Sequence, residues 1–183
     1  KEGYQEKYLI DTGLTIKREN GTWYDRFTGR VIFPIHSVSG RTIAFGGRTL
    51  RTDKKAANYL NSPESEIYHK SNVLYGLYQS KKAISQEDYC ILVEGYTDVI
   101  SMHQSGVENV VASSGTSLTE GQIKLIARFS KNITAIYDGA AAGIKASLPG
   151  LDMILHEGMN VRGVLLPAGQ DPDPFARSPT PTP

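Results

Sequence analysis

Apolar and polar positions along the chain follow two rhythms. Over roughly the first 80 residues, short β-forming runs alternate with turn residues. Val31-Ile32-Phe33-Pro34-Ile35 predicts a strand, Ser39-Gly40 a turn, and Thr42-Ile43-Ala44-Phe45 a returning strand. Gly46-Gly47 marks a place where the backbone turns or something approaches it closely. Asn61-Ser62-Pro63-Glu64 predicts another turn, and Trp23-Tyr24-Asp25-Arg26-Phe27 mixes aromatic with basic side chains.

The second rhythm begins near residue 85. Tyr89-Cys90-Ile91-Leu92-Val93 is an unbroken apolar run, the pattern of a strand buried on both faces. Thr97 to Gln104 predicts a short helix with Gly106 beyond its end, and Val110-Val111-Ala112 a second strand. Ser117-Leu118-Thr119-Glu120 has capping-box spacing and opens a helix to about Phe129. Ile133 to Tyr137 predicts a third strand, Ala140 to Glu157 a helix closed by Gly158, and Val161 to Leu166 a fourth strand. Pro149 falls inside that helix, and a helix-interior proline costs ~3 kcal/mol, so a kink or split is expected there. Strands alternating with helices imply an α/β fold with a mostly parallel sheet flanked by helices. The expected divisions are 1–84, a smaller mixed α/β subdomain; 85–177, the parallel-sheet domain; and 178–183, a Ser/Thr/Pro tail with nothing to bury, expected to be disordered.

Composition narrows the class. The chain has 183 residues, 39% of them hydrophobic and 21% charged, which suits a folded domain and not a disordered one. No apolar run approaches the ~20 residues of a membrane helix, and the first residues show no apolar leader segment. The single cysteine, Cys90, excludes an internal disulfide framework and fits a reducing cytoplasmic compartment. The net charge of +1 hides an asymmetry. Residues 1–80 carry 12 basic and 8 acidic side chains, and residues 81–183 carry 8 and 11. The first part suits a polyanion and the second suits cations.

The acidic residues of the second part gather after its strands. Glu94 follows the first, Asp138 the third, and Asp171 and Asp173 the fourth. In an open parallel sheet the C-terminal strand ends form the ligand crevice. Carboxylates converging there repel one another unless cations neutralise them, and hard oxygen donors suit Mg²⁺ or Mn²⁺. Such ions bind phosphates and stabilise the charge that develops in phosphoryl transfer.

Glu94-Gly95-Tyr96-Thr97-Asp98, then Ala112-Ser113-Ser114-Gly115-Thr116-Ser117, then Tyr137-Asp138-Gly139, resembles the TOPRIM domain of topoisomerases, primases and related nucleases. Phe33-Pro34-Ile35, Ile43-Ala44-Phe45-Gly46-Gly47-Arg48, Tyr59-Leu60-Asn61-Ser62-Pro63-Glu64, His69-Lys70-Ser71 and Leu74-Tyr75-Gly76-Leu77-Tyr78 extend the resemblance to the bacterial DnaG-type primase. The match runs in order over roughly residues 20–177.

The resemblance implies a TOPRIM-type sheet preceded by a basic subdomain, together forming the catalytic core of a DNA-templated RNA polymerase that makes replication primers. It implies a single-stranded DNA template lying on Arg26, Arg30, Arg48, Asn61 and Lys70. Ribonucleoside triphosphates are the implied substrates. Glu94 and Asp98 match the family's Glu-Gly-x-x-Asp motif, Asp138 the first acid of its Asp-Gly-Asp, and Asp171 and Asp173 its Asp-Pro-Asp. By resemblance Glu94 is a proton acceptor for the primer 3′-hydroxyl or a metal ligand. Asp138, Asp171 and Asp173 hold Mg²⁺ or Mn²⁺ against the incoming triphosphate. The family's zinc ribbon needs more than one cysteine, so no zinc is expected. The replicative helicase is met only through a C-terminal bundle that does not follow here, and no membrane partner is expected. The chain reads as a fragment of the core or a degraded copy.

Several positions depart from the family. Ala140 stands where the second acid of Asp-Gly-Asp is expected, and an alanine cannot coordinate a cation. Asn58 replaces a usual basic residue, and Pro167-Ala168-Gly169-Gln170 is less acidic than its counterpart. Two alternatives therefore stand beside the primase reading. One is a single-strand-binding relic with a disabled polymerase site. The other is a different TOPRIM enzyme, such as a nuclease.

Overall fold

The computed structural model describes residues 3–51, 57–115, 117–137 and 141–166, with the backbone alone for 141–147. The chain divides into two compact units, residues 1–37 with 41–69, and residues 38–40 with 70–183.

The first unit opens with helix α1 (Glu6–Asp11) and an antiparallel ribbon of β1 (Thr15–Lys17) and β2 (Trp23–Asp25). An antiparallel sheet follows, with β3 (Arg30–His36), β4 (Thr42–Thr49) and β5 (Tyr59–Asn61) in the order β3-β4-β5. The two strands expected from the sequence lie within β3 and β4. Gly46-Gly47 is not a turn, because β4 runs extended through both. The demand at Gly47 is space: a Cβ there would meet Phe27 at 2.7 Å and the Arg30 side chain at 3.1 Å. Beyond β5, Ser62 is buried and closes the sheet end twice, its N–H donating to the Phe45 carbonyl and its hydroxyl accepting the Phe45 N–H.

The second unit begins with a 3₁₀ turn at Lys70–Asn72 and helix α2 (Leu77–Glu87). Then β6 (Cys90–Val93), α3 (Tyr96–Gln104), β7 (Val110–Ala112), α4 (Glu120–Ile126), β8 (Asn132–Tyr137), α5 (Ala141–His156) and β9 (Asn160–Leu165) alternate. All the pairings are parallel, in the order β7-β6-β8-β9. Every residue of β6 is buried. Cys90 and Leu92 face one apolar cluster with Leu77, Ile84, Ile123, Ile126 and Ile154. Ile91 and Val93 face another with Val99, Met102, Val110 and Ala112. The unbroken apolar run in the sequence is the consequence of these two covered faces.

Both predicted glycine stops are observed. After α3, Gly106 (φ +89°) donates to the His103 carbonyl and Val107 to that of Met102. After α5, Gly158 (φ +71°) donates to Leu155 and Met159 to Ile154, with Met159 and Ile154 packed in the same core. Each is a Schellman closure, which needs a left-handed residue.

Two expectations are corrected. The α4 capping box is Thr119–Gln122, not one opened at Ser117: the Gln122 N–H donates to Thr119 Oγ1 at 3.2 Å and the Thr119 N–H to Gln122 Oε1 at 3.2 Å. Gln122 is fully buried, so its amide selects that register. Second, the helix is not split at Pro149: α5 runs as one element with the proline inside it. The proline forfeits one backbone hydrogen bond, while Ile154 and Met153 anchor the last turns of the helix on the core. α2 was not foreseen, because its buried face is only Leu77, Ser80 and Ile84. The Ser80 hydroxyl donates to the Val110 carbonyl at 2.7 Å, a polar contact that hydrophobic periodicity does not register. Among the described residues no helix is long and apolar enough to cross a membrane.

Gln122 also ties the 3₁₀ turn to α4, since its Nε2 donates to the Lys70 carbonyl at 3.1 Å and the Val73 carbonyl at 2.9 Å. Gln122→Leu keeps the volume but strands those carbonyls and the Thr119 N–H. It should lower unfolding free energy by about 2–4 kcal/mol, read as a lower urea midpoint with an unchanged slope.

Candidate functional site

Because all four strands of the second unit run parallel, their C-terminal ends open on one edge. Glu94 is the first residue after β6 and is exposed. Gly95 then turns the chain into α3 with an extended backbone (φ −116°). Its N–H donates to Asp98 Oδ2 at 2.9 Å, so Asp98 caps the helix it sits in, one turn from Glu94. A Cβ at position 95 would lie 2.9 Å from that oxygen, so a larger residue there would have to displace the capping carboxylate. The loop after β7 is tied to the same edge, with the Ser114 N–H donating to the Glu94 carbonyl at 3.1 Å. Ser114 (φ +59°) and Gly115 (φ +84°) are both left-handed.

The pairing Leu92↔Ala135, continued two residues, sets Glu94 level with Tyr137 at the end of β8. Burial raises the Tyr137 phenol pKa above its usual 10, and the nearby Glu94 carboxylate adds to the rise. Tyr137 is a neighbour of Glu94 that sequence reasoning missed; its only signal was its place immediately before Asp138. Asp138, Ala140, Asp171 and Asp173 lie outside the described residues, as does the 178–183 tail. Glu94 and Asp98 are therefore the described members of the predicted acidic set. Among the described residues no three His, Cys, Asp or Glu side chains converge to hold a metal ion.

The predicted basic residues occupy different places. Strand alternation sets Arg48, Tyr59 and Asn61 on one face of the first unit's sheet, from the pairings Arg48↔Tyr59 and Gly46↔Asn61. The Arg48 guanidinium lies over the Tyr59 ring at 5.6 Å. Arg30, paired with Thr49, belongs to the other face, and its Nη1 donates to the Gly47 and Asn58 carbonyls at 3.1 and 3.3 Å. Arg26 Nε donates to the Gly13 carbonyl at 2.8 Å. Lys70 opens the second unit. His69 Nδ1 lies 3.3 Å from Glu64 Oε2, both exposed. Buried Cys90, whose thiol pKa burial pushes up, is core and not nucleophile.

Comparison with known proteins now bears on this geometry. Residues 1–81 match the family described as DNA primase catalytic core, N-terminal domain, and residues 91–176 match the Toprim-like family. The DNA primase of Halalkalibacterium halodurans is 47% identical over 166 residues, 90% of this chain and 27% of that protein. The chain belongs to the bacterial DnaG-type primase family, over its catalytic core. A solved primase domain from Pseudomonas aeruginosa shares 43% identity with a TM-score of 0.86, covering 93% of this chain and 54% of that one. A DnaG primase catalytic domain bound to ssDNA gives 42% identity and a TM-score of 0.86, covering 96% of this chain and 57% of that one. This primase-core chain thus spans under a third of the length of the curated relative and just over half of the solved cores. The Toprim-like match points to use of a divalent metal.

Three tyrosines of this core resist ionisation. Burial, aided by Glu64, lifts Tyr68 to about 12, and burial raises Tyr75 and Tyr137 above 10.0. A phenol whose pKa is higher folded than unfolded contributes stability that is complete below pH ~10 and is lost as pH rises through the folded value. Stability should therefore fall above pH ~10 and keep falling towards pH ~12. In urea titrations at pH 8 and pH 11, Tyr68→Phe should lose less stability between the two than the parent chain; an equal loss would exclude Tyr68 as a contributor.

Proposed function

We propose that this chain performs, or in the longer protein contributes, DNA-templated synthesis of short RNA primers for replication. The observation that carries the proposal is Glu94 at the end of the central strand of a Toprim-like sheet, in a chain whose first part matches the primase N-terminal core. A nuclease or topoisomerase of the same sheet would not bring that first part with it. The DnaG catalytic domain solved with ssDNA supports a single-stranded template here as well.

The donor chemistry fits a hard divalent cation. Glu94 offers an exposed carboxylate, while Asp98 commits one oxygen to the α3 cap. Glu94 with Asp138, Asp171 and Asp173 would hold Mg²⁺, with Mn²⁺ as a substitute. Such an ion, when bound, neutralises triphosphate charge and lowers the barrier to in-line displacement. The chain's own part is to present Glu94 to the primer 3′-hydroxyl. That hydroxyl gives up its proton and its oxygen bonds the α-phosphorus, while the α–β bridging bond breaks and pyrophosphate leaves. Asp98 holds the α3 N-terminus in place behind Glu94. On the template side, Arg26, Arg30, Arg48, Asn61 and Lys70 would neutralise and bond phosphates without reading bases.

Extension assays on single-stranded DNA with ribonucleoside triphosphates test the polymerase reading. The unaltered chain should extend slowly in Mg²⁺, because Ala140 supplies no ligand oxygen. Ala140→Asp should raise the rate, and Glu94→Gln in that background should remove the gain, by about 10²-fold or more. Fast synthesis by the unaltered chain would show that Ala140 is tolerated. Loss of extension with any nucleotide, alongside cleavage of the DNA, would favour the nuclease reading.

Binding tests the template surface separately. With about four phosphates neutralised, the log–log salt slope for single-stranded DNA should be near −3, from ~0.7 per contact. Arg48→Ala plus Lys70→Ala should weaken binding and flatten the slope towards about −1.4. A slope near zero would exclude this surface.

A further inference from the structure

The β1–β2 ribbon carries a feature that the template surface above does not use. Its register is Lys17↔Trp23 and Ile16↔Tyr24, and the Arg18 N–H closes the turn on the Thr22 carbonyl at 2.8 Å. Neighbouring residues of a strand point to opposite faces. Lys17 and Trp23 therefore meet on one face, with the Lys17 ammonium 4.8 Å from the Trp23 ring centroid. Arg18 lies over Tyr24 at 4.7 Å. Each end-of-ribbon aromatic thus has a cation beside it.

All of β2 is exposed. Trp23 and Tyr24 remain 39% and 40% exposed despite these partners, so the rings keep open surface. Lys17 also meets Glu6 at 3.3 Å, an exposed pair that salt and phosphate can displace. Among the described residues Arg18 makes no ion pair with an acid.

The foot of the ribbon adjoins the predicted template residues. Gly13, two residues before β1, accepts the Arg26 guanidinium N–H, and the Arg26 N–H donates to Leu14. Pro63, two residues beyond Asn61, packs directly on Gly13, which has φ +69° and no room for a Cβ. Asn61, Pro63, Arg26 and the ribbon are one continuous stretch of the first unit.

We infer that the β1–β2 ribbon is a base-stacking post for the single-stranded DNA template, with Trp23 and Tyr24 each taking a base and Lys17 and Arg18 taking the flanking phosphates. Unpaired bases stack on exposed aromatics whatever their sequence, and adjacent cations hold the backbone. The RNA product does not fit this role, because its bases are paired to the template as it grows. The inference rests on the proposed template-directed function and extends the surface beyond Arg26 and Asn61.

Trp23 is the only tryptophan in the chain, so its fluorescence reports on the ribbon alone. The chain is titrated with a fluorescein-labelled deoxythymidine oligonucleotide for anisotropy, and with the unlabelled oligonucleotide and an oligouridine RNA for tryptophan emission. The expected results are quenching of Trp23 by the DNA in step with binding, and no stronger quenching by the RNA. Trp23→Ala plus Tyr24→Ala should weaken DNA binding by roughly tenfold or more, while Arg48→Ala weakens binding but leaves full quenching at saturation. DNA that binds with no change in Trp23 emission, and equally well to the double variant, would overturn the stacking post and leave the proposed function standing. Preferential quenching by RNA would overturn the assignment to template. No DNA binding at all would remove the template reading itself.

Discussion

The structure depends on one constraint: β6 is buried on both faces. A strand without a solvent face needs cover above and below, and here the two apolar clusters supply it, one holding Cys90 and Leu92, the other Ile91 and Val93. Covering both faces with helices requires crossover connections, and crossovers make the strands parallel. Parallel strands finish at the same edge. Glu94 stands at that edge because the apolar run ends at Val93 and the chain must turn at Gly95 to start α3. The position of the acid thus follows from the burial of the four residues before it.

At the same edge the Asp98 carboxylate closes the N-terminus of α3 on the Gly95 N–H. Near a helix N-terminus a negative side chain is favoured by the helix dipole as well as by the cap. The cap holds the backbone that presents Glu94. Tyr137 stands level with Glu94 on β8, so the carboxylate has a phenol for a neighbour.

The first unit works by different physics. Its sheet is antiparallel and only partly covered, so alternation divides the cations between faces. Arg48 is exposed near the end of β4, on the face that also holds buried Phe33 and Ile35, whereas Arg30 and Arg26 give hydrogen bonds to the carbonyls of Gly47, Asn58 and Gly13. Those two guanidiniums are held in place by backbone carbonyls of the fold itself. A guanidinium has five N–H donors, so the remaining ones stay suited to a phosphate while the bonded ones fix its direction.

The sequence by itself determined the sheet strands of the second unit, the glycine stops at Gly106 and Gly158, the alternation that implies a parallel sheet, and the family. These are local properties: apolar period, cap chemistry and motif order are written in neighbouring residues. Tertiary structure decided the rest. That Gly46-Gly47 runs straight follows from its pairing with β3 and β5, and the need for glycine at position 47 comes from Phe27, some twenty residues away. The register of the α4 cap depends on the Lys70 and Val73 carbonyls that the buried Gln122 amide must reach. α2 is held by Leu77 and Ile84 in the core and by the Ser80 hydroxyl on the Val110 carbonyl, and α5 passes through Pro149 while its last turns stay anchored on the core. That Lys17 meets Trp23 and Arg18 meets Tyr24 follows from the register of a three-residue ribbon, too short for period to reveal. Contacts across the fold outweigh local preference at these places, because burying an unpaired polar group or opening a cavity costs more than any single propensity.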